Sequence, residues 1–188
     1  MRTNELKEKL ATVMNKHLED FNRLKDADYR NTLSGLSAGQ TAPAWYKFSP
    51  IYQDKYSEIC ENHRAEANSL IEDALHRIRA KKTEAPTQDA TNYLLLLEKK
   101  PAISENDITT ALEAYGDNYS AYCTIKGIAQ AHEILSIDDP DLDTAEDALS
   151  QDIQPGIYKI ISPLSYPTAG LVAMFNTMTL SEIPDMYI

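Results

Sequence analysis

Long apolar runs, cysteines and glycines are scarce in this sequence of 188 residues. No apolar run approaches the roughly 20 residues that a membrane-spanning helix needs, and the charged residues 1–8 lack the apolar stretch of a secretory signal. The two cysteines, Cys60 and Cys123, are too few for a disulfide scaffold and are typical of a reducing compartment. We therefore expect a cytoplasmic protein that neither spans nor binds a membrane.

Lysine and arginine are missing from residues 127–158, which hold eight of the 29 acidic residues. The carboxylates that account for most of the net charge of -11 are Glu133, Asp138, Asp139, Asp141, Asp143, Glu146, Asp147 and Asp152. The remainder of the chain is near balance, so no basic face is available to neutralise phosphates, and we expect no direct contact with nucleic acid. An alternative function remains open, in which the acidic residues 133–152 mimic nucleic-acid charge and block a basic groove on a host protein.

Catalytic motifs are also missing. The six glycines form neither a Gly-x-Ser-x-Gly turn for a nucleophile nor a glycine-rich loop for a phosphate. The four histidines are scattered along the chain and cannot be assembled into a site from the sequence alone. We therefore expect a protein that is not an enzyme and that binds no cofactor.

Three patterns resemble metal sites in part. Residues 139–143 have the alternating carboxylates that open a calcium loop, but Thr144 replaces the glycine at the sixth position and Ser150 replaces the glutamate at the twelfth. Residues 73–76 give one copy of an acid-x-x-His pattern that a di-metal bundle needs twice. Four residues offer zinc ligands but lie on apolar stripes, as core residues do: Cys60, His63, Cys123 and His132. We therefore expect no metal.

Two long amphipathic helices are the main feature that the spacing of apolar residues predicts. The first is predicted over residues 4–28, with Thr3 as its N-cap. Its apolar stripe recurs at steps of three and four: Leu6, Leu10, Val13, His17, Phe21 and Leu24. This nearly heptad spacing also permits a coiled-coil pairing, and with it an oligomer.

The second long helix is predicted over residues 50–82. Ser49 is suited to cap it and Pro50 to occupy the first helical position, where a missing N–H costs nothing. Its inward stripe is Tyr52, Tyr56, Ile59, His63, Ala67, Leu70, Ala74 and Ile78. Before it, residues 31–49 contain Trp45, Tyr46 and Phe48, so we expect this loop to be held down by its aromatic side chains.

Residues 92–135 predict three shorter helices joined by tight turns. The leucines at 94–97 indicate a buried first helix, which Pro101 ends. Ser104 is placed to cap the second helix with Asp107 as its third residue, and Gly116 is suited to end it in a left-handed conformation. The third helix is expected to begin near Asn118 and to reach about Ile134.

The C-terminal residues 151–188 are apolar, nearly uncharged and interrupted by proline and glycine. We predict a helical domain over residues 1–150, followed by an irregular arm in which residues 157–161 favour a strand. An arm this apolar is expected to dock on its own domain or on a partner. The residues predicted to bind a partner are Leu171, Val172, Met174, Phe175, Met178 and Tyr187. The predicted fold class is mainly α, a bundle of two long and three shorter helices with this arm.

Residues 92–134 hold a Leu-rich helix, a Ser-capped helix and a start of the last helix that reads Gly116, Asp117, Asn118, Tyr119. This arrangement resembles the C-terminal helical part of small proteins encoded by phages and prophages of Gram-positive bacteria. The resemblance covers about a quarter of the chain. It implies a virion-associated or assembly-accessory protein with no catalytic residues.

Together these features predict a non-enzymatic structural or interaction protein that binds itself or another protein. The length of the helices, the apolar C-terminal arm and the absence of catalytic motifs lead to this hypothesis. If the resemblance holds, the protein is found in the producing cell and in the virion. The acidic inhibitor described above stays the alternative.

Overall fold

The computed structural model describes residues 2–42, 44–45, 47–134 and 142–184, and every regular element within these ranges is a helix. The predicted mainly α-helical class is confirmed. The chain divides into two compact units, a larger one of Met1–Leu75 with Asp143–Tyr187 and a smaller one of His76–Leu142. The predicted domain boundary near residue 150 therefore falls inside the larger unit.

The two predicted long helices are present. Helix α1 spans Thr3–Ser34 and helix α2 spans Pro50–Thr83. The predicted N-cap of α1 is wrong, because Arg2 holds the cap position and Thr3 lies inside the helix with 1% of its surface exposed. Helix α1 also continues beyond residue 28 as exposed turns, which an apolar stripe does not reveal.

The loop between α1 and α2 is held by aromatic side chains, as predicted. Phe21 of α1 lies 5.8 Å from Phe48 and 6.0 Å from Trp45, ring centre to ring centre. The buried carboxylate of Asp28 fixes the end of this loop, since it accepts hydrogen bonds from the backbone N–H of Ser49 at 3.0 Å and from its hydroxyl at 2.7 Å. The expectation for Tyr46 lies outside the described residues.

The C-terminal residues are helical and belong to the larger unit. Helix α6 spans Leu142–Asp147, π-helical turns follow over Ala148–Ile153, and helix α7 spans Gln154–Ile160. Helix α8 then spans Ala169–Met174, with π-helical turns over Phe175–Thr179 and a short 3-10 turn over Leu180–Glu182. The predicted irregular arm is thus a set of short helices.

The strand predicted over residues 157–161 is wrong, and the spacing of its isoleucines gives the reason. Ile153, Ile157 and Ile160 recur at steps of four and three and are all buried, which is the period of a helix. Pro155 lies at the beginning of α7, where a helix tolerates the missing N–H. Gly156 permits close packing, because an added Cβ would lie 2.9 Å from the ring of Phe175.

The smaller unit contains the predicted short helices: α3 over Gln88–Glu98, α4 over Glu105–Tyr115 and α5 over Tyr119–Ala131. Ser104 caps α4 as predicted, and Asp107 completes the reciprocal capping box. Asn118 caps α5 by accepting a hydrogen bond from the N–H of Ala121 at 2.9 Å. Helix α3 begins a turn earlier than predicted because Thr87 caps it.

Two details of the smaller unit differ from the sequence-based predictions. Leu94 and Leu97 are buried, but Leu95 and Leu96 are 49% and 72% exposed, because consecutive helical residues point about 100° apart and cannot all face the core. Gly116 ends α4 with φ of -65°, an ordinary right-handed value, so the predicted left-handed conformation is wrong.

Candidate functional site

The residues predicted to bind a partner divide into a buried and an exposed set. Val172 and Phe175 are each 2% exposed and help to form the core of the larger unit. Met174 and Met178 are 51% and 63% exposed. Leu171 is half-buried, and Tyr187 lies outside the described residues. The segment therefore presents its methionines to solvent while its other large apolar side chains anchor it.

Hydrogen bonds attach this segment to α1 and α2 within the same chain. Asn176 donates to the side-chain oxygen of Asn15 on α1 at 3.1 Å. Gln53 of α2 donates to the carbonyl of Pro163 at 2.9 Å. Further along α2, Arg64 donates to the carbonyl of Tyr158 at 2.8 Å and to that of Ile161. The C-terminal segment therefore docks on its own chain.

Charged residues are missing from the sequence between Lys159 and Glu182. Part of this stretch is solvent-exposed, and Leu164 in the loop before α8 has 96% of its surface accessible. We name Leu164, Met174 and Met178 the uncharged surface. It consists of exposed apolar side chains in a stretch of sequence where no charge interrupts them.

A chain of hydrogen bonds that the sequence does not predict runs through the core of the larger unit. His17 lies on α1 and His63 on α2, and both stripes predicted these residues to face inward, which the structure confirms with 0% and 4% exposure. Their Nδ1 atoms are 3.2 Å apart. The inward register was predictable for each helix, but the contact between the histidines was not.

The chain of hydrogen bonds extends beyond both histidines. The Nε2 atom of His63 lies 3.3 Å from a carboxylate oxygen of Asp20 on α1. On the other side, Nε2 of His17 lies 3.4 Å from the hydroxyl of Tyr56, and that hydroxyl donates to the carbonyl of Ser165 at 2.9 Å. We call Asp20, His63, His17, Tyr56 and Ser165 the histidine chain. It links α1, α2 and the loop before α8.

Burial keeps the two histidines and the nearby Tyr56 and Cys60 neutral. Removal from water lowers the pKa of His17 from 6.5 to about 4, and the neighbouring His63 adds to the effect. Burial also lowers the pKa of His63, although Asp20 opposes that change. The pKa values of the Tyr56 hydroxyl and of the Cys60 thiol are raised for the same reason. At neutral pH these groups are hydrogen-bonding partners and carry no charge.

Neither of two open clefts in the larger unit reaches the histidine chain. One, of about 490 Å³, lies beside the loop before α2 and is lined by Asp28, Trp45 and Phe48 among others. The other, of about 510 Å³, lies between α1 and α2 and is lined by Lys9, Thr12, Glu66 and others. Because no residue of the histidine chain lines either cleft, these two clefts do not bring a substrate to the histidines.

The four residues weighed as zinc ligands are divided between the two units. Cys60 and His63 lie in the core of the larger unit, while Cys123 and His132 are exposed on the smaller one. Within the described part of the chain, no three or more His, Cys, Asp or Glu residues are grouped to hold a metal ion. The carboxylates at 139 and 141 of the calcium-like pattern, and Asp138 of the acidic stretch, lie outside the described residues.

No helix in the described ranges combines the length and apolarity that crossing a membrane requires. Comparison with protein-family models, with curated proteins and with solved structures finds no match to this chain.

Proposed function

We propose that this chain is a non-enzymatic interaction protein that binds a second protein, its own copy included, through the uncharged surface of its C-terminal segment. The observation that carries the proposal is the exposure of Met174 and Met178 in a stretch without charged residues. The chain as a whole is a quarter charged, so residues 160–181, which contain no charged residue, stand apart from the rest of the sequence.

The composition of this surface matches that of protein interfaces. The buried centre of an interface is depleted in charged residues and enriched in methionine and aromatic side chains. Removing a charge from water without a partner costs several kcal/mol, whereas covering an exposed methionine stabilises the complex. Methionine also adapts its unbranched side chain to irregular partner surfaces.

The segment that carries the methionines is anchored, which favours binding. Val172 and Phe175 fix it to the core, and the hydrogen bond from Asn176 to Asn15 fixes it to α1. A surface that is already ordered loses little conformational entropy when it binds. The resemblance to phage proteins leads us to propose a virion-associated or assembly-accessory role for this binding.

The proposal is tested first on the purified chain by light scattering after size-exclusion chromatography, over micromolar concentrations. We expect an oligomer that the double substitution Met174→Glu with Met178→Glu converts to a monomer. Leu96→Glu is the matched control, because Leu96 is 72% exposed but lies on α3 of the smaller unit. Circular dichroism checks that both variants keep their helices.

A second experiment identifies a partner other than another copy of this chain. A photo-crosslinking amino acid at position 178 is expected to give a discrete crosslinked product in the producing cell, and the same probe at position 96 is not. A monomeric chain with no product specific to position 178 would overturn the proposal. Loss of the oligomer in the Leu96→Glu variant alone would also overturn it, since that result places the interface on α3.

A further inference from the structure

The histidine chain contains a position for one more proton, which follows from counting its donors and acceptors. An ionised carboxylate only accepts hydrogen bonds, so Asp20 requires a proton on Nε2 of His63. A neutral His63 then has a lone pair on Nδ1, and the 3.2 Å contact requires that Nδ1 of His17 carries the proton. A neutral His17 is therefore left with a lone pair on Nε2.

This lone pair lies next to the hydroxyl of Tyr56, which donates its proton to another acceptor. Tyr56 has one hydroxyl proton and two oxygen or nitrogen acceptors nearby, the carbonyl of Ser165 at 2.9 Å and Nε2 of His17 at 3.4 Å. The shorter contact has the usual length of an O–H···O hydrogen bond, so the proton points to Ser165. Nε2 of His17 thus faces an oxygen with no hydrogen between them.

A proton added at this nitrogen completes the chain but places a charge in the core. His17 is fully buried, and the carboxylate of Asp20 contacts His63, although its charge also opposes the lowering of the His17 pKa. The charged and titratable groups around the pair come from both long helices and from the loop before α8: Lys16 and Asp20 on α1, Tyr56, Cys60, Arg64 and Glu66 on α2, and Tyr166 in the loop. Burial and Arg64 both lower the pKa of His17, so the closed structure resists the proton.

The loop at residues 161–168 lies beside Tyr56 and between α7 and α8, outside any continuous helix. At Ser165 one hydrogen bond, donated by Tyr56, joins this loop to the histidine chain. The residues around Ser165 have further contacts, since Ile161 is fully buried and the ring of Tyr166 lies 5.7 Å from that of Tyr56. The hydrogen bond to Ser165 is therefore the single polar contact whose loss separates the loop from the histidine chain.

We propose that the histidine chain is a proton-sensitive latch, in which uptake of one proton by the His17–His63 pair in mildly acidic solution releases the loop at residues 161–168 from Tyr56. The proton enters when the loop opens and lets water reach His17. Once charged, His17 favours the open loop because water solvates the imidazolium better than the core does. The latch does not require the uncharged surface to bind a partner, although Leu164 of that surface lies in this loop.

Hydrogen exchange measured by mass spectrometry at several pH values tests the latch, after correction for the intrinsic pH dependence of exchange. Peptides covering residues 161–168 are expected to lose protection by up to about tenfold for each pH unit below about pH 6, the limit for one linked proton. Peptides of α4 serve as the internal control and are expected to stay constant. His17→Asn, which keeps a donor toward His63, is expected to abolish the dependence.

Two further variants and one measurement make the test decisive. His76→Gln removes an exposed histidine of α2 and is expected to behave as the wild type. Tyr56→Phe is expected to lower protection of the loop at neutral pH and to keep the pH dependence, because the histidines remain. Nitrogen chemical shifts of the wild-type imidazoles, which need no variant to fold, are expected to show protons on Nδ1 of His17 and Nε2 of His63 at neutral pH.

Three outcomes would overturn the latch. They are a proton on Nε2 of His17 at neutral pH, loop protection that does not change with pH, and a pH dependence that His17→Asn leaves intact. The first outcome would show that the position on His17 is already occupied by a proton. The second would show that the loop is not released by acid. The third would show that a group other than His17 takes up the proton.

Discussion

Gly156 shows how one missing side chain allows two helical segments to pack closely. An alanine Cβ at this position would lie 2.9 Å from the ring of Phe175, which is buried and has little room to move. We expect Gly156→Ala to destabilise the chain by about 1 to 2 kcal/mol, because overpacking of a core costs about 1 to 3 kcal/mol and the gain in helix propensity returns less than about 1 kcal/mol. Urea denaturation measures the difference.

Gly170 is the matched control for this substitution. It also lies in a C-terminal helix, but an added Cβ meets no atom within 4 Å. Gly170→Ala is therefore expected to leave stability unchanged or to raise it by less than about 1 kcal/mol. Equal effects of the two substitutions would contradict the close approach of Phe175.

Ser104 tests a different residue-scale effect, the capping of α4. Its hydroxyl accepts a hydrogen bond from the N–H of Asp107, and the Asp107 carboxylate accepts one from the backbone N–H of Ser104 at 3.0 Å. The Lys100 and Ser104 hydrogen bonds hold the pKa of the Asp107 carboxyl down, at about 2. We expect Ser104→Ala to cost about 1 kcal/mol of stability.

The effect of Ser104→Ala is measured by urea denaturation and by the exchange rate of the amides in the first turn of α4. Thr109→Ala is the control, because its exposed hydroxyl only bonds back to the carbonyl of Glu105 within the helix. A loss of stability in Thr109→Ala as large as that in Ser104→Ala would show that the cap itself contributes nothing.

At the scale of elements, Arg64 fixes the end of α7. The last carbonyls of a helix lack partners within it, and Arg64 donates to those of Tyr158 and Ile161 from α2. We expect Arg64→Met to lower the free energy of unfolding by about 2 kcal/mol, since hydrogen bonds from charged donors contribute about 1.5 to 3 kcal/mol. Thermal unfolding followed by circular dichroism measures it.

Arg77→Met is the control for that experiment, because Arg77 is an exposed arginine on the same helix. Its substitution is expected to change stability by less than about 0.5 kcal/mol. Similar losses in both variants would mean that arginine stabilises α2 through its general charge and not through the end of α7.

The helices themselves were largely predictable from local signals. Pro50 marked the beginning of α2, and Ser104 with Asp107 marked that of α4, because such signals involve residues close in sequence. The C-terminal segment was predicted less well. Its prolines and glycines are typical of irregular chain, and the helical form becomes stable only when Ile157 and Phe175 are buried together. Such tertiary packing overrides local propensity.

The candidate site was predictable only in part, for a related reason. The exposed methionines could be named from an apolar, uncharged stretch, but which side chains of that stretch anchor it depends on contacts with α1 and α2. The histidine chain joins residues as distant in sequence as Tyr56 and Ser165. Each histidine alone looked like a core residue, and no local pattern indicates that His17 and His63 meet.

For the molecule as a whole, the buried polar groups make the stability of the larger unit depend on pH. Hydrogen bonds of the histidine chain tie together three parts of the sequence, α1, α2 and the loop before α8. A core of leucine and isoleucine alone has no group that titrates between pH 4 and pH 7. Two neutral histidines therefore make the stability of this unit sensitive to acid, whether or not the loop opens first.

The sign of this dependence follows from the pKa of His17, which is about 4 in the folded chain and 6.5 as its ordinary value. Between these values the unfolded chain binds more protons than the folded chain does. The stability that neutral His17 contributes to the folded chain is therefore fully present above about pH 6.5 and is lost as the pH falls toward 4. This loss amounts to roughly 3 kcal/mol of the free energy of unfolding. The lowered pKa of His63 acts in the same direction.

We expect urea denaturation to give a free energy of unfolding that declines as the pH falls from 6.5 to 4. The decline is expected to be smaller in His17→Asn and the same as in the wild type in His76→Gln. Comparing slopes between variants removes the contribution of the carboxylates, which all three proteins share. If His17→Asn loses stability with falling pH as steeply as the wild type, His17 does not stay neutral in the folded core.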